Sequence, residues 1–204
     1  MQKMQTKIPK LLLECNAIKF GEFTGSSGRV LPYYVDLRLI PSHPEIFHRI
    51  IDSYVDLIER EEVNFDRVAG VPVGALPFAA AIAYKIKKPL LILRKEPKKH
   101  GTGKQIEGVL SKGDKVLIIE DLVTTGGSVI QTKKVLEDEG AVVRDVFVIL
   151  DRLEGGRENL RESGLDLHAV TNTLDVISKF RKENLISTEN YNKISGYISG
   201  FRKN

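Results

Sequence analysis

The chain has 204 residues, of which 42% are hydrophobic and 28% are charged, a balance typical of a soluble globular protein with one core. No apolar run approaches the roughly 18 residues that a transmembrane helix needs, and the N-terminus lacks the pattern of a secretory signal. The net charge of +4 fits either a mildly basic surface or an anionic ligand, and the single cysteine, Cys15, excludes an internal disulfide and suits a reducing cytoplasm.

In chain order, the first 40 residues predict one helix and a β-ribbon with a Gly/Ser turn, which together form a hood. Five apolar runs then predict buried strands at 67–71, 89–93, 115–120, 145–151 and 167–170. Between them, periodic apolar residues predict helices at 44–60, 75–87 and 128–139. This alternation predicts an α/β fold with a mainly parallel central sheet flanked by helices. We expect one domain over 1–204, with a hood at 1–40, a core at 41–180 and a tail at 181–204 that contains a helix.

The stretch VLIIEDLVTTGGS, residues 116–128, joins an apolar strand to two acids and a run of hydroxyls and glycines. Burying an ionised carboxylate without partners is costly, so Glu120 and Asp121 either reach solvent, cap the following turn or hold a ligand. The run TTGGS, residues 124–128, precedes a helix and offers successive backbone N–H groups, as a phosphate site does. Vicinal hydroxyls suit the acids, so the two halves together predict a ribose 5-phosphate site.

This order of strand, Glu-Asp, two spacers and TTGGS resembles the phosphoribosyl-pyrophosphate (PRPP) motif of the type I phosphoribosyltransferases. The GxxxxGK[ST] pattern of nucleoside triphosphatases is absent. Three further stretches, FGEFTGSSGRVLPYYVDLR (20–38), ILRKEPKKHGTGKQIEG (92–108) and ILDRLEGGRENL (149–160), resemble the orotate phosphoribosyltransferase family. The resemblance implies the type I phosphoribosyltransferase fold and transfer of the 5-phosphoribosyl group from PRPP to orotate, giving orotidine 5′-monophosphate and pyrophosphate.

The resemblance also implies roles for individual residues. The acids would bind the ribose hydroxyls and the run after them the 5-phosphate. The residues implied for PRPP are Glu120, Asp121, Leu122, Val123, Thr124, Thr125, Gly126, Gly127 and Ser128, with the backbone N–H groups of Val73 and Gly74.

The basic stretch 94–108 resembles a mobile catalytic loop that would close over the site and exclude water. In it, Arg94, Lys95, Lys98 and His100 would meet the pyrophosphate, and Lys98 or His100 could donate a proton to it. Without the resemblance, a lysine-rich stretch is more typical of a solvated surface turn.

For orotate, the resemblance implies Thr124, Arg152, Ser26, Tyr33 and Tyr34. The planar guanidinium of Arg152 suits the orotate carboxylate, although a salt bridge with Asp151 or Glu154 explains it equally well from the residues alone. The two tyrosines would pack near the base; without the resemblance they are expected to be core residues of the ribbon.

Two positions depart from many members of that family. Ser26 stands where a substrate-contacting lysine is common, and a serine there could still form a hydrogen bond to a carbonyl group. Val73 and Gly74 stand where a Tyr-Lys pair is common, so backbone N–H groups would have to serve in place of the lysine.

The resemblance implies Mg²⁺ as cofactor, bound mainly through the substrate with a water-mediated contact to Asp121. It also implies a homodimer in which loop 94–108 reaches the neighbouring site, and a dissociative displacement at ribose C1. We expect a cytoplasmic enzyme of pyrimidine biosynthesis with no nucleic-acid or membrane partner. Three alternatives remain: a phosphoribosyltransferase for another base, a nucleotide-sensing regulator without catalysis, and a subunit working with a separate decarboxylase.

Overall fold

The computed structural model describes residues 8–24, 28, 30–96 and 105–201, so the predicted site residues Ser26, Lys98 and His100 lie outside the described residues. The strands are β1 (Ile18–Thr24), β2 (Val30–Val35), β3 (Arg67–Gly70), β4 (Leu90–Leu93), β5 (Ile106–Glu107), β6 (Val116–Val123), β7 (Asp145–Asp151) and β8 (Asp166–Asn172). The α-helices are α1 (Ile8–Glu14), α2 (Pro44–Arg60), α3 (Leu76–Lys85), α4 (Gly127–Asp138), α5 (Gly156–Glu162), α6 (Thr173–Lys182) and α7 (Thr188–Ser199), and a 3₁₀ helix spans Leu37–Ser42.

Six strands form the main sheet in the order β5-β4-β3-β6-β7-β8. All neighbouring strands are parallel except β4 and β5, which pair antiparallel. The predicted α/β fold with a mainly parallel sheet is therefore confirmed. Because β6 lies inside the sheet between β3 and β7, its carboxyl end opens at the edge where parallel sheets bind ligands.

The predicted helices form where apolar residues repeat on one face. Helix α2 covers the predicted range, and its first residue is Pro44, whose fixed backbone angle suits a first turn. Helix α4 buries the side predicted from the sequence, which comprises Val129, Thr132, Val135 and Leu136. Gly140 follows this helix with a φ of 90°, the left-handed conformation that glycine adopts without a steric penalty. Among the described residues, no helix is long and apolar enough to cross a membrane.

The structure differs from the prediction at the end of β6 and in short elements that were not predicted. Strand β6 continues to Val123, past the predicted end at Glu120, so Asp121 also lies inside the strand. The strand continues because Leu122 and Val123 still pair with the end of β7. Strand β5 and helix α5 were not predicted, since both are short and polar; the predicted helix in the tail is confirmed as α7.

The hood consists of α1 and the antiparallel ribbon β1–β2, which is a separate sheet. The ribbon rests on the last helices of the chain through aromatic side chains. The ring of Phe20 meets that of Phe180 edge-on at 5.8 Å between centroids, and Tyr33 meets Tyr197 at 6.4 Å. The chain's tail therefore lies under the hood, within the same hydrophobic core.

Candidate active site

The two acids of β6 are held close together at the open edge of the sheet. Glu120 is buried and Asp121 is half-buried. One Glu120 carboxylate oxygen, Oε1, accepts a hydrogen bond from the Asp121 backbone N–H at 2.9 Å, and Asp121 Oδ1 accepts one from the Leu122 N–H at 2.7 Å. Asp121 does not cap helix α4, because the residue at that N-cap position is Gly126. Both residues line the same cavity.

Burial raises the pKa of Glu120, and the neighbouring Asp121 carboxylate raises it further. Burial also raises the pKa of Asp121, and the hydrogen bond with Glu120, the Leu122 N–H and the charge of Arg38 partly offset that rise. Two adjacent carboxyl groups that resist ionisation together are unusual outside functional sites. Donors from a ligand would stabilise the charged form that burial disfavours.

Two residues that were not predicted interact with this acid pair. The hydroxyl of the fully buried Tyr54, on α2, donates to the backbone carbonyl of Glu120 at 2.5 Å. Arg38 is fixed by Asp36 through bonds of 2.7 and 2.9 Å, and its charge lowers the pKa of Asp121. No local pattern marks Tyr54, since it is an apolar position of an ordinary amphipathic helix and lies 66 residues before Glu120.

The predicted phosphate site forms a cavity of about 320 Å³ lined without interruption by residues 120–129. Gly126 has a φ of 82°, so the chain turns sharply there into α4 and presents the helix N-terminus to the cavity. Helix α5 supports this turn from outside, because the Asn159 side-chain amide donates to the Thr125 carbonyl at 2.9 Å. The acids and the TTGGS run thus line one cavity.

The loop between β3 and α3 reaches the same cavity edge. A Cβ atom built on Gly74 would lie 3.0 Å from Asp121 Oδ2 and 3.7 Å from Arg38 Cγ. Val73 is exposed, with 59% of its surface accessible. The structure therefore brings Gly74 beside Asp121, and the missing side chain at Gly74 keeps the space next to this carboxylate open.

Arg152 is placed at the end of β6 by a backbone hydrogen bond. Its backbone N–H donates to the Val123 carbonyl at 2.9 Å, which ties the end of β7 to the end of β6. Arg152 Nη2 lies 2.8 Å from Glu154 Oε1, whereas Asp151 pairs with Arg157. The salt bridge with Glu154 that the sequence allowed is therefore present.

The two predicted tyrosines differ in burial because neighbouring residues of a strand point to opposite faces of the sheet. Tyr33 is 1% exposed, and the Arg152 guanidinium carbon lies 4.7 Å from its ring centroid. The Arg152 Nε–H donates to the Tyr33 hydroxyl at 3.1 Å, and that hydroxyl lies 3.4 Å from Thr173 Oγ1. Tyr34 is 38% exposed and packs against Phe23, so the expectation that both rings are ribbon core holds only for Tyr33.

The described part of the basic loop lies farther along the sheet. Arg94 and Lys95 follow β4, which is separated from β6 by β3. Arg94 Nε pairs with Glu107 Oε1 at 2.9 Å, and the Arg94 backbone N–H donates to the Gln105 carbonyl at 3.0 Å. These bonds join the two ends of the loop at the edge of the sheet.

Within the described ranges, no group of three or more His, Cys, Asp or Glu side chains could hold a metal ion. The Glu120–Asp121 pair offers the hard oxygen ligands that Mg²⁺ prefers. Two carboxylates are too few to complete its octahedral coordination. A magnesium ion here would therefore need oxygens from the substrate and from water, and the acid pair fits that partial role.

Comparison with known proteins identifies a family and several relatives that this chain resembles. The phosphoribosyl transferase domain family matches residues 40–163. An orotate phosphoribosyltransferase of Pyrococcus abyssi is 41% identical over 173 residues, covering 85% of this chain and 95% of its own. The crystal structure of orotate phosphoribosyltransferase from Aeropyrum pernix has a TM-score of 0.77 and 32% identity over 88% of this chain and 99% of that one. UMP synthase of Leishmania donovani has a TM-score of 0.86 and 31% identity, covering 96% of this chain and 42% of its own.

Proposed function

This chain belongs to the phosphoribosyltransferase family, as an orotate phosphoribosyltransferase, and we propose that the cavity at the carboxyl end of β6 is its PRPP site. The observation that carries this assignment is that residues 120–129 line one cavity, with two acids at one end and a helix N-terminus at the other. The acids accept hydrogen bonds from the ribose hydroxyls, and the N–H groups of Thr124 to Ser128 hold the 5-phosphate.

Arg152 is the residue we assign to the orotate carboxylate. Its guanidinium already lies against Tyr33, in a buried position where a charged hydrogen bond is strong. Ser26 and Tyr34 complete the predicted orotate site, with Ser26 accepting or donating one hydrogen bond and Tyr34 lying at the rim. Orotate held in this way presents its ring nitrogen N1 to ribose C1.

The reaction is a displacement at C1. The bond from C1 to the pyrophosphate oxygen breaks with its electron pair on the leaving group, and N1 of orotate forms the new bond from the opposite face. Arg94, Lys95, Lys98 and His100 stabilise the negative charge on pyrophosphate, and Lys98 or His100 donates a proton to it. Mg²⁺, when bound, supplies further charge neutralisation for the pyrophosphate. The carboxylates opposite stabilise the positive charge that develops on the ribose.

We further propose a homodimer in which loop 94–108 completes the partner's site. The support is geometric: the loop starts from β4, two strands away from β6, and its two ends are tied together at the sheet edge. We place the enzyme in the cytoplasm, because the lone Cys15 fits a reducing compartment.

The first test follows the loss of orotate absorbance after PRPP and Mg²⁺ are added. The wild type consumes orotate, and Lys98→Ala slows turnover by about 100-fold or more because it removes a positive charge from the leaving-group site. Lys134→Ala is the matched control, since Lys134 is an exposed lysine of α4. A wild type that binds PRPP and leaves orotate untouched would contradict the proposal in favour of a regulator, and faster use of another base would indicate a different specificity.

A further inference from the structure

The tail of the chain has no part in the site as described so far, yet it is packed directly behind it. Helix α7 begins with a capped turn, in which the Ser187 hydroxyl accepts from the Asn190 N–H at 3.1 Å. Ile194 and Ile198 of this helix have no exposed surface and belong to the main hydrophobic core. The helix is thus a fixed part of the fold, and its exact position is set by core packing.

The hood strands depend on this helix for their position. The ribbon β1–β2 forms its own sheet, and a two-stranded ribbon is at best marginally stable without packing. The ring of Tyr197 meets the ring of Tyr33 edge-on, at 6.4 Å and an interplanar angle of 81°. Edge-to-face pairs of this kind fix the relative orientation of two rings as well as bury area.

Tyr33 in turn orients the arginine. Its ring face lies 4.7 Å from the Arg152 guanidinium, and its hydroxyl accepts from the Arg152 Nε–H at 3.1 Å. Burial raises the pKa of Tyr33, so the hydroxyl keeps its proton and can donate to Thr173 while it accepts from Arg152. A continuous set of contacts therefore runs from α7 through Tyr33 to the guanidinium.

We propose that Tyr197 on α7 is a positioning residue for orotate recognition, acting through Tyr33 on the guanidinium of Arg152. The proposal rests on the assignment of Arg152 to the orotate carboxylate. It gives the tail a specific role: α7 sets the geometry of carboxylate recognition and leaves the PRPP half of the site, built on β6 and α4, unaffected.

The test compares orotate with uracil, which has the same ring without the carboxylate. We expect Tyr197→Ala to raise the KM for orotate by about tenfold, the scale of one lost aromatic contact that orients a charged hydrogen bond. The KM for PRPP and the slow rate with uracil should stay within about twofold, since neither depends on Arg152. Tyr197→Phe keeps the ring and should restore the orotate KM.

Tyr191→Ala is the matched control, because Tyr191 lies on the same helix, is half-buried and also packs on the core. It should lower the melting temperature without raising the orotate KM. A change in Tyr197→Ala that is equal for orotate, uracil and PRPP, or that appears only in the melting temperature, would overturn the inference. Arg152→Ala tests the assignment of Arg152 separately from the role of Tyr197. If this variant leaves the orotate KM unchanged, the assignment of Arg152 itself is wrong.

Discussion

The carboxyl groups of Glu120 and Asp121 hold their protons more tightly than ordinary acids because they are buried next to each other. Such a pair titrates as a unit, so the free site carries less negative charge than its sequence suggests. Ribose hydroxyls donate hydrogen bonds to carboxylates and therefore favour the ionised form. Ligand binding and proton loss from the pair are consequently linked.

This linkage predicts a proton release when PRPP and Mg²⁺ bind. Both pKa values are raised in the free enzyme, and binding lowers them, so at pH 7 the complex holds fewer protons than the free protein, by up to about one per site. Titration calorimetry in buffers with different ionisation enthalpies measures this number directly. Glu120→Gln should reduce the release, while Asp138→Asn, an exposed acid on α4, should leave it unchanged. A binding heat that is independent of the buffer would contradict the linkage.

At the scale of elements, α5 supports the phosphate site from behind. This seven-residue helix begins at Gly156, where an added Cβ atom would come within 2.3 Å of Val123 Cγ1 and 2.4 Å of the Thr124 carbonyl oxygen. On the next turn, Leu160 packs so closely on Gly126 that a Cβ there would lie 2.9 Å from Leu160 Cγ. The end of β6 and the turn into α4 thus keep their positions because two glycines permit close approach.

We therefore predict that Gly156→Ala destabilises the protein by about 1–3 kcal/mol, because backbone atoms must move to accept the methyl group. It should also raise the KM for PRPP, since the displaced atoms belong to the phosphate turn. Gly196→Ala is the control: Gly196 is exposed within α7, and a Cβ atom built there would meet no heavy atom within 4 Å outside its own stretch of helix, so alanine should stabilise by about 0.5–1 kcal/mol. Denaturant unfolding and PRPP kinetics measure both effects, and equal stabilities for the two variants would refute the packing argument.

At the scale of the whole molecule, the sheet order separates the two charged halves of the predicted chemistry. The acids lie on β6, whereas the loop with Lys98 leaves from β4 on the other side of β3. In a two-fold symmetric dimer, the loop of each subunit can reach the partner's site. Each of the two identical sites then combines the acids of one subunit with the loop of the other.

Complementation between two inactive variants tests this arrangement. A heterodimer of Lys98→Ala and Asp121→Asn, co-expressed with two different tags and purified through both, should recover about half of the wild-type activity, because one of its two sites has both halves intact. A heterodimer of Glu120→Gln and Asp121→Asn should recover little, since each of its sites carries one altered acid. No recovery in the first heterodimer would mean that the loop serves its own subunit's site.

Features that depend on neighbouring residues were predictable from the sequence, whereas features that depend on distant pairing were not. Periodic apolar residues and a strand–turn–helix motif are local, so the helix at 44–60, the strand at 145–151 and the TTGGS turn were predictable. The end of β6 was placed too early because the continued pairing of Leu122 and Val123 depends on β7, far away in the chain. Helix α5 was missed because its seven residues carry too few apolar positions for a periodic signal.

The amino-acid sequence by itself determined the fold class, the PRPP motif and the choice of acids and hydroxyls, because each of these depends on neighbouring residues. Only the tertiary structure decided which side chains control them. Tyr54 donates to the Glu120 carbonyl, and the charge of Arg38 acts on Asp121. The ring of Tyr197 packs against that of Tyr33. Each pair lies far apart in the chain, so no local pattern encodes its contact. The physical reason is that burial, and with it the pKa of each acid and the orientation of Arg152, is a property of packed elements and not of a segment.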